Sequence, residues 1–551
     1  MKIVLPYGLI AAIACALYLP FLGNPPVFDD RGLYSGYQFS EHAASPFGLG
    51  LRYPAHFAFA FVEVLWGRIE AHRLLSLALH VGCGWTLFAL VREFHKGILL
   101  SLAAAAWFVA HPAAVYGAGY LAQRSIVMAT LFGLLSILVF VRGLRQGSYA
   151  GAIGGALLYS AAVLSKEHAV LVAAAAAAAA PLAGAGRQFA LRYTAIFLAA
   201  CLPAAILVVV LAKGLIGVAI EPQFEAVAAE VSAARGSVGP LESPWIGSAL
   251  TQAAMFFRYV ASWLWPLTSH MSIDLRVDFA ATWTPAVAVP AVAGFLAWGA
   301  ISAALILRRG SAAVAGFGLL YLWILFAVEF TAIRFQEPFV LYRSYLWAPG
   351  LAIALAGALE RLPRAAVAAV LGAAAAVLPA QSYDRLGSLA SGRALWEDAV
   401  AKLPPEPVPG GARTLYFLGR EYLYAGESGK AVAVVERCIA QYPNATDCQF
   451  ARAAIHMYFE EYERAIPHLL RALALQPKNS GARHHLGWAL ENLGCIPEAR
   501  VQYRRAASLG FVGGSWRLMQ LDSPGRGLIP PSARKPGRCP AAIRSAVPPP
   551  D

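Results

Sequence analysis

Charge is what this sequence has least of. Asp, Glu, Lys and Arg make up 14% of its 551 residues and hydrophobic residues 59%, whereas soluble domains carry roughly 25% charge. A single water-soluble globule is excluded, because so large an apolar surplus finds cover only against lipid. CxxC pairs and Cys/His metal spacings are also missing among the seven cysteines, so neither a zinc nor a redox motif is indicated. Basic residues outnumber acidic ones by 44 to 31, giving +13. In a polytopic protein that excess is read by location, since cytoplasmic loops collect Lys and Arg. The charge therefore supports no nucleic-acid partner.

Apolar runs are what the sequence does have. The first, residues 3–22, is followed by Gly23-Asn24-Pro25-Pro26-Val27-Phe28-Asp29-Asp30 with no small-residue cleavage signal before that loop. A retained span with a cytoplasmic N-terminus is predicted, not a signal peptide. Ten more runs lie near 72–91, 97–112, 125–141, 149–164, 168–185, 193–212, 286–307, 313–331, 344–360 and 364–380, which makes about eleven spans. Arg92 with Lys96, Arg142 with Arg145, Arg187 with Arg192, Arg308 with Arg309, and Arg361 with Arg364 then fall on one predicted side, the cytoplasmic one. The opposite side receives the Asp29-Asp30 loop, His111-Pro112, Ser165-Lys166-Glu167, the long 213–250 loop and everything after 381. Crossing at Met255 to Trp265 would invert the later loops, so that stretch is predicted to be an interfacial or re-entrant helix ending at Pro266.

Beyond Gln381 the composition turns soluble and a period of 34 appears. Gly419, Ala453 and Gly487 recur at that spacing, as do Ala431, Ala465 and Ala499, and Pro443 with Pro477. Small residues at such positions let two antiparallel helices approach, and the proline ends the second, a pattern that resembles tetratricopeptide repeats. The predicted fold class is all-α: a transmembrane helical domain over 1–383, then a helical solenoid of three repeats over 392–512. Its opening helix, carrying Trp396, is expected to cap the stack. Residues 523–551 are rich in Pro, Gly and Arg and read as a disordered tail. Parity of the spans puts the repeats outside the cytoplasm. There Cys438 and Cys448 are either a disulfide or small buried fillers, and the sequence leaves both open.

Charged residues at the edges of apolar runs are the candidates for chemistry. Adjacent Asp29 and Asp30 sit just beyond the first span, where low dielectric and mutual repulsion raise one pKa and make a base for an acceptor hydroxyl. The other reading is a solvated acidic turn after Pro25-Pro26. His111-Pro112 opens a loop closed by Gln123-Arg124, with Arg124 either facing an anion or anchoring a helix end. Lys166 and Glu167 stand between two apolar runs with almost no loop, either functional or compensating each other. The segment from Arg334 to Trp347 places Glu337 and Arg343 beside Tyr345 and other aromatics, which suits bidentate binding of a lipid phosphate. Arg258 is a further cation for that task. Glu221, Glu225, Glu230 and Glu242 give the 213–250 loop an acidic character suited to gating the site or meeting a basic acceptor, or simply to a solvated face.

In order along the chain, Phe28-Asp29-Asp30, His111-Pro112 with Arg124, Ser165-Lys166-Glu167, Trp265-Pro266-Leu267 with Ser272 and Asp274, and the Glu337 to Tyr345 stretch precede the repeats. Together they resemble the GT-C superfamily of multispanning glycosyltransferases, in particular the tetratricopeptide-repeat O-mannosyltransferases and bacterial protein or pilin glycosyltransferases. The resemblance covers most of the chain. It implies transfer of a sugar from a polyprenyl-phosphate-linked donor in the membrane to an acceptor outside the cytoplasm, foremost a protein hydroxyl held by the repeats. Asp29 or Asp30 is then the base, and Arg124, Lys166 and Arg343 neutralise the departing phosphate. His111, Glu167, Arg258, Glu337 and Tyr345 complete the implied substrate-binding set. A bacterial inner membrane with periplasmic repeats is the implied setting. The chain departs from the pattern at Ala114, Tyr116 and Ile126, where relatives carry further polar and acidic residues, so no metal ligand is assigned and a divalent cofactor is not supported. Two other functions stay open, a transferase acting on a glycolipid or envelope polymer and a non-enzymatic scaffold. The concentration of ions on one membrane face favours an enzyme.

Overall fold

A computed structural model of the chain describes residues 4–33, 48, 50–95, 97–214, 243–335, 337–522, 539–541 and 543. The acidic residues Glu221, Glu225, Glu230 and Glu242, and most of the 523–551 tail, lie outside them. Among the described residues the chain is all helical, with no strand. It divides into two compact units, one formed by Met1–Glu221 with Gly239–Asp398 and the other by Pro222–Val238 with Ala399–Asp551.

Seven helices of the first unit are long and apolar enough to cross a membrane: Val4–Phe21, Ile69–Phe94, Leu121–Gln146, Arg187–Ala212, Pro285–Ile306, Ser311–Thr331 and Arg364–Ser388. Ile98–Val109 with Pro112–Ala118 forms an eighth if the pair, bent by 50°, is one span. The bend follows from Pro112, which has no N–H to donate and holds His111 extended. Tyr149–Ser165, Glu167–Ala178 and Ala348–Leu359 are apolar but shorter. The eleven apolar runs thus fall on eight elements of spanning length and three short helices, a multi-pass membrane architecture.

Packing within this unit uses small residues where backbones meet. A Cβ on Gly318 would overlap the Gly350 carbonyl, and one on Gly350 would overlap that of Gly318, so these helices approach at a distance only glycine permits. Outward, Leu157, Leu202 and Ile206 are each more than half exposed, as lipid-facing residues are. Pro244–Leu264 begins well before the predicted Met255, because Pro244 fits the first turn of a helix. It is not among the helices apolar enough to span.

In the second unit helices pair in sequence: Gly411–Tyr424 with Ser428–Gln441, Thr446–Tyr458 with Tyr462–Leu475, and Ser480–Asn492 with Ile496–Ser508. Ala431, Ala465 and Ala499 are fully buried, as is Ala453. Cβ atoms on Gly419 and Gly487 would press on Val435 and Tyr503 of the partner helices, so the period of 34 in small residues is the period of helix contacts. Val512–Asp522 packs on the last pair, and Arg517 Nη2 reaches the buried Glu491 carboxylate at 2.6 Å. Cys438 is bonded to Cys448, and Cys495 to Cys539. Cys15, Cys83 and Cys201 of the first unit are free thiols. In denatured protein kept unreduced, a thiol reagent should therefore label three cysteines, rising to seven after reduction. Labelling of all seven without reductant would contradict both bonds.

Candidate functional site

The first loop is held by a buried cation. Arg73, on Ile69–Phe94, donates through Nε to the Asn24 carbonyl at 3.0 Å, through Nη2 to that of Pro25 at 3.1 Å, and through Nη1 to that of Gly119 at 2.9 Å. Two prolines deprive this stretch of N–H donors and of helical pairing, leaving its carbonyls open to such a fork. The next residues turn sharply. Phe28 adopts φ 48°, a left-handed conformation costly for a bulky side chain, and its ring meets Trp396 edge to face at 5.1 Å. Trp396, expected to cap the repeats, thus also supports the turn before Asp29.

That turn separates the two carboxylates. Asp30 is fully buried and accepts from the Ala122 N–H at 2.7 Å. Burial pushes its carboxyl up to about 7, against the Ala122 hydrogen bond and the positive charge of Arg73. Asp29 is exposed at the start of the short helix Asp29–Leu33, and its N–H donates to the Tyr120 hydroxyl at 3.0 Å. Asp29 thus faces outward, while Asp30 is a buried anchor.

A dense group of charges surrounds the turn between Tyr149–Ser165 and the helix that follows. Arg52 donates through Nε to Glu167 at 3.0 Å, with a second bond from Nη2. His168 lies between two acids, Nδ1 at 3.4 Å from Glu167 and Nε2 at 3.5 Å from Glu329. Glu329 is fully buried and lies 3.7 Å from Arg334 Nε and 3.5 Å from Arg343 Nη1. Arg343 also donates to the Glu337 carbonyl at 2.9 Å and lies 3.6 Å from its carboxylate. Lys166 is buried among these groups. Burial, followed by Arg52 and then by Arg343 and Arg334, lowers its amine to about 7 against the pull of Glu167. Burial, then Glu337 and Asp29, raise the Tyr342 hydroxyl to about 12 against Arg343 and Arg334. A group of four cations, Arg52 and the buried Lys166, Arg334 and Arg343, with partly compensating acids is suited to a phosphate.

The arginine segment is positioned by Pro244–Leu264. Along one face of that helix, Ser248 Oγ accepts from the Arg334 N–H at 2.9 Å and Gln252 donates to the Pro338 carbonyl at 2.9 Å. Farther along, the Tyr259 hydroxyl bonds both backbone groups of Val340, and the Trp263 indole donates to Ser344 at 2.8 Å. The spacings of four, seven and four residues are those of one helical face.

Lys166, Glu167, Glu337 and Arg343 are thus brought together, while Asp29 lies on the first loop. Other residues singled out in the sequence lie in packing sites. Arg124 is buried, bonds Ser76 and the His72 carbonyl, and stacks 3.7 Å over Phe59. His111 caps its own turn by accepting from the Ala113 N–H, and its Nε2 meets the Trp263 carbonyl at 2.9 Å. Tyr345 bonds His80 at 2.6 Å inside the bundle. Arg258 lies 4.6 Å over the Phe339 ring. Asp274 pairs with Arg276.

Arg52 and Glu329 enter the site without having been singled out, whereas His168 directly follows the Lys166-Glu167 pair and Arg334 opens the segment picked out in the sequence. Glu329 had a legible signal, since it lies inside an apolar run, where an ionisable residue points to function. Arg52 had none, because it follows a polar stretch with no periodicity.

No protein-family model matches the chain, and no curated protein matches it. Among solved structures it is similar to the Archaeoglobus fulgidus oligosaccharyltransferase in its apo form, at 14% identity and TM-score 0.39, over 75% of this chain and 59% of that one. It is also similar to the archaeal oligosaccharyltransferase AglB from the same organism, in complex with an inhibitory peptide and a dolichol-phosphate. There the identity is 14% and the TM-score 0.40, over 78% of this chain and 59% of that one. The chain spans less than two thirds of the length of these structures.

Burial of Asp30 has a measurable sign. Its folded pKa of about 7 exceeds the ordinary 3.8, so the folded state holds this proton more tightly. The stabilisation is fully present below pH 3.8 and is lost as pH rises through about 7. Asp30→Asn removes that slope while leaving an oxygen for Ala122. Its stability relative to wild type should therefore rise between pH 5 and pH 8 in thermal unfolding. Asp30→Ala also strands the Ala122 N–H and should cost about 1–3 kcal/mol relative to Asp30→Asn at either pH. A pH-independent difference for Asp30→Asn would contradict the buried placement.

Proposed function

We propose that this protein is an integral-membrane glycosyltransferase that moves a sugar from a polyprenyl-phosphate carrier to an acceptor outside the cytoplasm, foremost a protein hydroxyl. The reading is carried by one observation: an exposed carboxylate, Asp29, on the first loop and a buried cluster of Lys166, Arg334 and Arg343 about Glu329. A scaffold has no need for such a pairing of base and anion pocket at the ends of apolar helices, where each charge costs free energy.

In this reading the acceptor hydroxyl gives its proton to Asp29 as its oxygen attacks the anomeric carbon. The bond from that carbon to the carrier phosphate breaks, and the polyprenyl phosphate leaves with the electron pair. Lys166, Arg334 and Arg343 meet the charge that develops on the phosphate, where preorganised donors matter most. Attack opposite the leaving group inverts the anomeric centre. Asp30 and Arg73 fix the loop that presents Asp29. The donor is a lipid substrate, and no metal is assigned.

The paired helices of the second unit we read as tetratricopeptide-like repeats that hold the acceptor. All four described cysteines of that unit are paired, and the three of the membrane unit are free. Such a distribution favours an oxidising space outside the cytoplasm for the repeats.

Two measurements test this. Intact masses of envelope proteins, pilins included, should lose a hexose- or pentose-sized increment in cells lacking the chain. An unchanged mass profile would remove the protein acceptor. With equal expression, Asp29→Asn should lower transfer by about a hundredfold or more, and full transfer by that variant would remove the catalytic assignment.

A further inference from the structure

Trp396 lies beyond the last membrane-spanning helix, on Gly392–Ala401, yet it packs against the first loop of the chain. It is fully buried and belongs to the first compact unit, which ends at Asp398. Its indole meets the Phe28 ring edge to face, with centroids 5.1 Å apart and planes at 90°. Aromatic pairs prefer that geometry, and it fixes the direction of a side chain as well as burying it. Phe28 immediately precedes Asp29 and holds φ 48°, a conformation that bulky residues adopt only where their surroundings impose it.

The helix carrying Trp396 is itself tied down. Arg385, near the end of Arg364–Ser388, donates through Nη1 to both carboxylate oxygens of Asp398, at 2.9 and 3.1 Å, and to the Met271 carbonyl at 2.6 Å. In the first turn of Gly392–Ala401, Ser391 Oγ accepts from the Ala394 N–H at 3.1 Å. The same end of Arg364–Ser388 meets the first loop at two earlier points: the Phe21 and Tyr383 rings lie 4.8 Å apart, and Asn24 donates to the Leu386 carbonyl at 3.4 Å. Phe21, Asn24 and Phe28 are thus placed in turn by Tyr383, Leu386 and Trp396. On the far side of Asp29, Asp30 is fixed by Ala122. A change of φ at Phe28, between these fixed points, therefore falls on Asp29, the outward-facing carboxylate of the pair.

We propose that Trp396 is a positioning residue for sugar transfer: its indole holds Phe28 in the left-handed turn, and through that turn keeps Asp29 directed at the acceptor hydroxyl. Arg385 acts one step further back, by fixing the helix that presents the indole. The assignment rests on the glycosyltransferase reading and deepens it, because the catalytic loop is complete only when a residue from beyond the last span is in place. Misplacing a reacting group by about 1 Å costs on the order of a hundredfold in rate, so a ring that touches neither sugar nor phosphate still governs the reaction.

The test uses the full chain in lipid nanodiscs and reads amide hydrogen exchange over Val27 to Leu33. The Asp30 and Arg31 N–H groups donate to the Val27 and Phe28 carbonyls at 2.9 and 3.2 Å, so their protection reports the turn itself. Trp396→Leu should speed their exchange about tenfold while the repeat helices Thr446–Tyr458 and Tyr462–Leu475 keep wild-type rates. Trp396→Phe keeps a ring and should restore most of the protection. Asp398→Asn weakens the hold of Arg385 and should give the same pattern at about threefold, which serves if Trp396→Leu does not fold. In cells, transfer per folded molecule, read as the mass increment on envelope proteins, should fall about tenfold or more in Trp396→Leu and recover in Trp396→Phe. In Phe28→Gly, where glycine takes the left-handed turn freely, adding Trp396→Leu should lower neither readout further. A packing role alone predicts exchange raised evenly through the membrane unit and transfer per folded molecule unchanged. Either result would overturn the proposal while leaving the glycosyltransferase reading intact. Loop exchange that responds as expected in a protein whose wild type adds no increment would overturn that reading, and with it the catalytic purpose of Trp396.

Discussion

The arrangement of the site depends on how one arginine is spent. Arg73 donates from all three guanidinium nitrogens to carbonyls, those of the adjacent Asn24 and Pro25 and that of Gly119, far away in the chain. Burying a cation is costly, and here several charge-assisted hydrogen bonds offset that cost. The return is geometric. With the loop fixed at this end, the Asp30 bond to Ala122 and the turn at Phe28 can point one carboxylate inward and the other outward.

The charged pocket follows a different logic. Its members come from the stretch before Tyr53–Trp66, the Lys166 to His168 turn, the end of Ser311–Thr331 and the 332–345 segment. None of these stretches is held by regular α-helical pairing throughout, so each leans on a neighbouring helix. For the 332–345 segment Pro244–Leu264 supplies that support through Ser248, Gln252, Tyr259 and Trp263. The helix is too polar to be a convincing span because its polar face is committed to this backbone.

Much of the fold was legible because the apolar runs and the period of 34 are direct statements of what must be hidden from water. The number of crossings was less so. Periodicity does not distinguish a full-length helix from the short ones at 149–165 and 348–359, and Lys166 interrupts one apolar stretch at a point set by the site. Within the site, Lys166, Glu167, Glu337 and Arg343 stood out as ions beside lipid-like sequence. Arg124 and His111 stood out for the same reason but are absorbed by Ser76, Phe59 and Trp263. Only tertiary contacts separate those two outcomes. The Asp29-Asp30 dipeptide was visible as a pair, whereas its division into an exposed acid and a buried one depends on Ala122 and Arg73, which are distant in sequence.

The shortness of Tyr149–Ser165 has a consequence for the surrounding lipid. Seventeen helical residues rise about 25 Å, less than the roughly 30 Å of a bilayer's hydrocarbon core. Leu157 on this helix faces outward, so the mismatch falls on lipid and not on a protein neighbour. A bilayer crossed by this helix would thin beside it, bringing the headgroup plane closer to the end of the helix where Lys166 sits.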